Sequence, residues 1–164
     1  MNNKIVVYSW TGNAAACAVA LQNELGTEPF LLVEEKERAG SRGFAMGGLQ
    51  ASLGLKTKVK ALPDISGADT LILGMPLWAG TTPPAINTFL KSCSVKEKNV
   101  YIFVTQMSAD VPKKLEKKIR NIVTGQGGQY KHMFVVSVPK GAQISVEGAK
   151  SRAVKWAERI NALE

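Results

Sequence analysis

Runs of apolar residues recur along this chain and are separated by segments in which apolar positions have a helical spacing. The runs are rich in β-branched residues and cover 4–8, 29–33, 69–74, 100–104 and 133–138. Each run is nearly continuous rather than alternating, which is typical of strands buried on both faces of a parallel sheet. The pattern therefore predicts an α/β fold, a three-layer doubly wound arrangement with helices on both faces of five strands.

Most of the intervening segments predict helices. Apolar residues repeat at intervals of three and four within 14–25, after Pro83–Pro84, within 111–122 and within 146–160. Residues 34–69 differ, because the glycines between Gly40 and Gly54 weaken a helix, and they predict at most a short amphipathic helix between loops. With no repeat, low-complexity tract or linker, residues 1–164 are expected to form a single domain.

Composition and charge narrow the class of protein. Hydrophobic residues make up 45% and charged residues 21%, as in ordinary globular proteins. No apolar stretch has the length of a signal peptide or a membrane span, so we expect a cytoplasmic protein. The net charge of +8 favours acidic proteins, anionic cofactors or nucleic acid as partners. Nucleic acid is disfavoured because the basic segments lack interleaved aromatic residues.

The residues that most often carry reactive chemistry are few. Cys17 and Cys93 lie in separate helical patterns without metal-ligand spacing, and we interpret both as small buried hydrophobic residues. His132, the single histidine, has no histidine partner for a metal site. Four lysines surround the helix predicted at 111–122, and we interpret them as a solvated face rather than a docking patch: Lys113, Lys114, Lys117 and Lys118.

Small polar residues follow the first predicted strand, where a helix begins. Ser9, Thr11 and Asn13 supply side-chain donors around Gly12. The free N–H groups and the positive dipole end of a helix N-terminus favour an anion. Because neither G-x-x-x-x-G-K-[ST] nor G-x-G-x-x-G is present, a nucleoside triphosphate or a dinucleotide is not indicated. The loop therefore predicts a cradle for one phosphate monoester.

Two further loops, 75–82 and 105–110, follow strands and should lie near this cradle, since ligands of open α/β sheets bind at the carboxyl ends of strands. Trp78 lies between a proline and a glycine in the first of them. Its ring has two interpretations, a core residue folded back under the loop or a planar wall for a planar ligand. The second is favoured, with Gly80 allowing close backbone approach.

The chain resembles the flavodoxin family over nearly its whole length. The likeness rests on Ser9–Asn13 after the first strand, on Gly74–Gly80 after the third strand, and on Pro83–Pro84 with Phe89–Leu90 beyond. The resemblance implies a five-stranded parallel sheet in the order 2-1-3-4-5 that binds FMN non-covalently. No side chain of the sequence stands out as an acid, base or nucleophile, and no metal site is expected.

The resemblance also implies three groups of cofactor-binding residues. The group that would hold the phosphate is Ser9, Thr11, Gly12 and Asn13. The group that would pack against the flavin is Pro76, Leu77, Trp78, Ala79 and Gly80. The group that would line the far edge of the ring is Thr105, Gln106, Met107 and Ser108.

This sequence departs from the family pattern in three places. Ala14 stands where the family usually has another hydroxyl, and Trp10 replaces a small residue and would cover the phosphate or the ribityl chain. The third loop lacks the tyrosine that often stacks on the outer flavin face, so Met107 would substitute or leave one face open. An open face gives room for a quinone or a nicotinamide.

The resulting expectation is an FMN-dependent redox protein. Electron transfer with a partner protein is favoured, because no nicotinamide fingerprint is visible, and an acidic redox partner fits the basic charge. An NAD(P)H- or quinone-linked oxidoreductase is the alternative, so whether the protein is an enzyme stays open. Flavodoxins that act as electron shuttles are typically acidic, and the basic charge argues against the partners of such shuttles.

Overall fold

The computed structural model describes residues 2–36, 38 and 40–162, in which strands and helices alternate. The strands are β1 (Asn3–Val7), β2 (Pro29–Leu31), β3 (Thr70–Pro76), β4 (Asn99–Gln106) and β5 (Gln129–Ser137). The helices are α1 (Asn13–Leu25), α2 (Gly40–Ser52), α3 (Pro84–Ser92), α4 (Lys113–Gly125) and α5 (Val146–Ala162). All strand pairs are parallel, in the order β2-β1-β3-β4-β5, so the predicted fold is confirmed.

Each face of the sheet is covered by its own hydrophobic core. In β3, Leu71 and Leu73 belong to the core under α2, α3 and α4, whereas Ile72 belongs to the core under α1 and α5. Successive residues of a strand point to opposite faces, so a strand covered on both sides must be apolar at every position. None of the helices in the described part of the chain has the length and apolarity needed to cross a membrane.

One local prediction needs correction. The apolar run 29–33 was expected to be a buried strand, but β2 ends at Leu31, and Leu31 and Val33 are exposed because β2 is the edge strand of the sheet. Beyond it, residues 33–35 pair with 58–60 through backbone hydrogen bonds. The glycine-rich segment does form a helix, α2, as the weaker pattern there indicated.

The interpretation of both cysteines as buried residues holds for Cys17 but not for Cys93. Both are free thiols; Cys17 is fully buried and Cys93 is half-buried. Burial raises the pKa of Cys17 to about 11, so its thiol stays protonated and a poor nucleophile near neutral pH.

His132 on β5 is a half-buried imidazole packed edge-on against Phe134, with ring centroids 4.7 Å apart. Burial lowers its pKa below the ordinary 6.5, the charge of Arg159 lowers it further, and Glu116 opposes the shift. The unfolded chain therefore holds this proton more tightly than the folded protein does. The contribution of the neutral His132 to the free energy of unfolding is fully present above about pH 6.5. It decreases as the pH falls toward the pKa of His132 in the folded protein.

We expect the free energy of unfolding to fall between about pH 7.5 and about pH 5.5, and this step to disappear in a His132→Gln variant. The single histidine makes the comparison clean, because no other side chain has its ordinary pKa in this interval. Urea unfolding of both proteins across the interval measures it. Identical pH dependence in the two proteins would contradict the role given to His132.

Candidate functional site

A cavity of about 750 Å³ opens at the carboxyl ends of the strands, where the loops after β1, β3, β4 and β5 meet. Its walls are mostly apolar, and Gly40 at the start of α2 completes them. A cavity of this size and character is typical of a small-molecule site. Its place at the strand ends is the one predicted from the topology.

The loop after β1 contributes Trp10, Thr11 and Asn13 to the cavity lining and has further polar groups next to them in the chain. The hydroxyl oxygen of Ser9 is buried and has no hydrogen-bond partner among the described residues. Gly12 precedes α1 with φ 91°, a conformation that favours glycine, and none of the described side chains caps the helix. Because buried polar groups are normally paired, an unpaired hydroxyl beside an uncapped helix N-terminus is a site suited to an anion.

Asn13, predicted as a phosphate ligand, joins two loops instead. Its amide nitrogen donates to Thr11 Oγ1 and to the carbonyl of Ala142, both at 3.2 Å, and its Oδ1 accepts from the Ile144 N–H at 2.8 Å. Gln143 Nε2 donates to the carbonyl of Thr11 at 3.1 Å. Both amide hydrogens of Asn13 are thus used within the protein, whereas the Thr11 hydroxyl keeps its own hydrogen for donation.

A tight turn follows β3. Trp78 and Thr81 exchange two backbone hydrogen bonds, of 3.1 and 2.9 Å, across Ala79 and Gly80. Both central residues have positive φ, 47° for Ala79 and 74° for Gly80, which defines a turn of the I′ type. The left-handed conformation costs little for Gly80 but is strained for Ala79. Contacts from neighbouring residues must therefore stabilise the turn.

Lys118 on α4 holds that turn. Its ammonium donates to Thr81 Oγ1 at 3.0 Å, to Thr82 Oγ1 at 2.6 Å and to Asn87 Oδ1 at 3.3 Å. It makes no ion pair with any described carboxylate, and burial, with a smaller effect of Lys114, lowers its pKa. Assigning Lys118 to a solvated face was therefore wrong; the lysines of that set that are exposed are Lys113, Lys114 and Lys117.

The Trp78 ring is folded back beneath the loop and is only 5% exposed. Tyr8 and Trp10 meet it edge-on, with centroids 5.6 and 6.2 Å away, and the Arg38 guanidinium lies 5.6 Å from its centroid. On α2, a Cβ added to Gly47 would lie 2.5 Å from the ring. The structure thus gives the core arrangement, which the sequence analysis had ranked second, while part of Trp78 still lines the cavity.

A buried ion pair lies beside Trp78. Arg38 Nε contacts Glu34 Oε2 at 2.6 Å, and Arg38 Nη2 also donates to Gln50 at 2.7 Å. Tyr8 donates its hydroxyl to the same Glu34 oxygen at 3.1 Å, and burial together with the Glu34 charge raises the pKa of Tyr8. The hydrogen bonds to Glu34 raise the pKa of Arg38, so this group stays charged and fixed.

The loop after β4 is stabilised from within. Gln106 Nε2 donates to the carbonyls of Ser108 and Asp110, and Ser137 donates to the carbonyl of Met107 at 2.9 Å. Gln106 Oε1 is buried and has no partner in the described part of the chain. Met107 lines the cavity and is 69% exposed, so this wall is open to solvent.

Comparison with known proteins now decides the family. The sequence profile of the flavodoxin family matches residues 50–138, more than half of the chain. This chain belongs to the flavodoxin family. No curated protein matches it.

Solved structures show the same fold as this flavodoxin-family chain. A candidate flavoprotein from Bacteroides eggerthii has 18% identity and a TM-score of 0.73, over 98% of both chains. A flavoprotein from Lactobacillus acidophilus in complex with FMN has 19% identity and a TM-score of 0.67, over 82% of this chain and 92% of that one. Flavodoxin 1 from Bacillus cereus has 12% identity and a TM-score of 0.63, over 99% and 98%.

The site residues expected for a flavodoxin divide into two sets. Those that line the cavity are Trp10, Thr11, Asn13, Pro76, Leu77, Trp78, Thr105, Gln106 and Met107. Those that belong to the same loops without lining it are Ser9, Gly12, Ala14, Ala79, Gly80 and Ser108. The Ala14 side chain is buried in the core under α1, and its part in binding, like that of the others, stays a prediction.

Sequence reasoning missed the loop 138–143, which forms a fourth wall of the cavity. β3 and β4 lie between β1 and β5 in the sheet. The order of the strands therefore gives no sign that the loop after β5 reaches the loop after β1. It does so because α1 and α5 share one core and their N-terminal ends come together. The available signal was Pro139–Gly141, a turn sequence after the last apolar run.

Trp78→Ala should lower the free energy of unfolding of the ligand-free protein by about 3–5 kcal/mol, because a large buried ring leaves a cavity. Trp10→Ala is the matched control: it lines the same cavity but is 37% exposed, so its loss should cost clearly less. Denaturant unfolding of the variants measures both. A Trp78→Ala protein as stable as the wild type would place the ring in a ligand wall instead of the core.

Proposed function

We propose that this flavodoxin-family protein binds FMN in the cavity and serves in electron transfer. The observation that carries the proposal is the Ser9 hydroxyl, which is buried and has no partner among the described residues, in the loop that leads to the N-terminus of α1, where no described side chain forms a cap. Family membership and the FMN bound to the related Lactobacillus flavoprotein support it. The residues present therefore fit a ligand with a phosphate at one end and an apolar body.

The phosphate would be held by hydroxyls and by backbone. Ser9 and Thr11 each have a hydroxyl hydrogen to donate, and the first N–H groups of α1 are uncapped. Hydrogen bonds to a charged group are stronger than neutral ones, and the helix dipole adds to them. In this proposal the Asn13 side chain is not a phosphate ligand, because its hydrogen bonds join it to the loop 138–144.

The remaining walls would hold the flavin ring. Leu77 and Met107 are apolar, and Gln106 Oε1 offers an unpaired acceptor to a ring N–H. When bound, FMN would supply the electron transfer. The protein excludes water from one side of the ring, fixes its position and keeps the turn 78–81 in place through Lys118.

Electron transfer with a protein is favoured over catalysis on a small substrate. Lys140 is the one acidic or basic side chain among the described residues that line the cavity, so no set of acid, base and nucleophile comes together there. A carrier needs no such set. The second candidate, an NAD(P)H- or quinone-linked oxidoreductase, is favoured by one observation, the open wall at Met107, which leaves room for a second planar molecule.

FMN should bind at least about a hundredfold more tightly than riboflavin, since each charge-assisted hydrogen bond to the phosphate contributes roughly 1.5–3 kcal/mol. Ser9→Ala should narrow this ratio without destabilising the ligand-free protein, because it removes a buried hydroxyl that has no partner there. Flavin fluorescence titration and urea unfolding measure the two effects. Equal affinities for FMN and riboflavin would refute the phosphate cradle.

The two candidate roles differ in their response to nicotinamide. For an electron carrier, we expect that NADPH added anaerobically leaves the FMN spectrum of the loaded protein unchanged, whereas dithionite bleaches it. Rapid bleaching by NADPH alone would instead establish the oxidoreductase. Free FMN at the same concentration is the control for direct chemical reduction.

A further inference from the structure

The outward side of α2 carries apolar side chains with no cover among the described residues. Met46, Leu49 and Leu53 recur at helical spacing, and each is exposed by half or more. The opposite side of the helix is buried, with Gly47 against Trp78 and Ala51 in the core. A helix that is apolar on both sides buries only one of them, and contiguous exposed apolar surface marks an interaction site.

The end of α2 extends this surface. The N–H of Leu55 donates to the carbonyl of Gln50 and the N–H of Gly54 to that of Ala51, both at 2.9 Å, and Gly54 has φ 66°. These bonds define a Schellman motif, which turns the chain back onto the last helical turn. The exposed Leu55 thereby lies at the last turn of α2, where its N–H is bonded to Gln50. We call Met46, Leu49, Leu53 and Leu55 the α2 apolar face.

Basic residues border the α2 apolar face. Residues 38–63 contain no aspartate or glutamate, and their basic residues are Arg38, Arg42, Lys56, Lys58 and Lys60. Arg38 is neutralised by Glu34, and the other four are exposed. Lys58 and Lys60 are held in place by backbone pairing with 33–35, where Glu35 is an exposed acid. The border therefore has an excess of positive charge.

The α2 apolar face is also close to the proposed cofactor site. α2 begins at Gly40, which lines the cavity, and Gly47 on the same helix packs against Trp78, another lining residue. A protein bound on α2 would thus lie beside the cavity mouth. Electron transfer requires such proximity between the two redox groups.

We propose that the α2 apolar face, with its basic border, is the docking surface for an acidic redox protein. The inference rests on the proposed function and names the partner class for it. An acidic surface complements the border, and apolar contacts at the centre supply the binding energy. An acidic protein is favoured over a second copy of this chain, because two copies paired through this face would bring their exposed basic borders together.

The test uses the protein loaded with FMN and a reduced acidic [2Fe–2S] ferredoxin as the probe. In each encounter one electron leaves the ferredoxin, which is oxidised, and enters the flavin, which is reduced and takes any proton from solvent. Stopped-flow absorbance gives the second-order rate constant. We expect this constant to fall between about 0.01 and about 0.15 M ionic strength, as the Debye length shortens from about 30 to about 8 Å.

Variants assign the effect to the surface. Leu49→Asp places a like charge against an acidic partner and should lower the rate constant by about tenfold, and Lys58→Glu should lower it and flatten the salt dependence. Val19→Asp is the matched control: Val19 lies on α1, on the other face of the sheet, and is 54% exposed against 55% for Leu49. Its rate constant should match that of the wild type.

Equal rate constants for the wild type, Leu49→Asp and Val19→Asp would overturn the docking surface and leave the FMN function standing. If dithionite reduces the bound FMN but ferredoxin does not, the proposal of an acidic redox partner is overturned. The wild type could instead bind phosphatidylglycerol vesicles, with binding lost and electron transfer unchanged in Leu49→Asp. That result would assign the α2 apolar face to a membrane surface and overturn the protein partner. Failure to bind FMN is detected separately in the flavin titration and concerns the proposed function alone.

Discussion

The parallel pairing of β1 with both β2 and β3 is the constraint on which the rest of this structure depends. Parallel neighbours cannot be joined by tight hairpins, so each connection crosses a face of the sheet and, with few exceptions, forms a helix there. The carboxyl ends of all strands then meet at one edge. The cavity lies at this edge, where the chain after β1 leads to α1 on one face of the sheet and the chain after β3 leads to α3 on the other.

The polar groups at this edge of the sheet divide into those that are hydrogen-bonded within the protein and those that have no partner among the described residues. The Asn13 amide forms hydrogen bonds that join two loops, and the Gln106 amide nitrogen donates within its own loop. The Ser9 hydroxyl and Gln106 Oε1 stay buried and unpaired among the described residues. Leaving a buried polar atom without a partner is unfavourable for the protein alone, and in the proposed function a bound ligand would pair with both atoms.

Positive charge has different roles in different parts of the molecule. Lys118 is half-buried and stabilises a strained turn through neutral oxygens, and Arg38 is paired with Glu34 beside Trp78. The lysines at 56, 58 and 60 face solvent next to an uncovered apolar helix face. Net charge alone therefore says little, since only the exposed, unpaired fraction is available to a partner.

The sequence by itself determined the strands, most of the helices and the loop at Ser9–Gly12, because these follow from local periodicity and from residues adjacent in the chain. It did not determine where the Trp78 ring lies, since Gly47, which packs against that ring, is distant in sequence and belongs to a helix whose glycines weaken its own pattern. The wall formed by 138–143 likewise depends on α1 and α5 sharing one core. Local patterns show which face of an element is apolar, but only tertiary packing decides what covers that face.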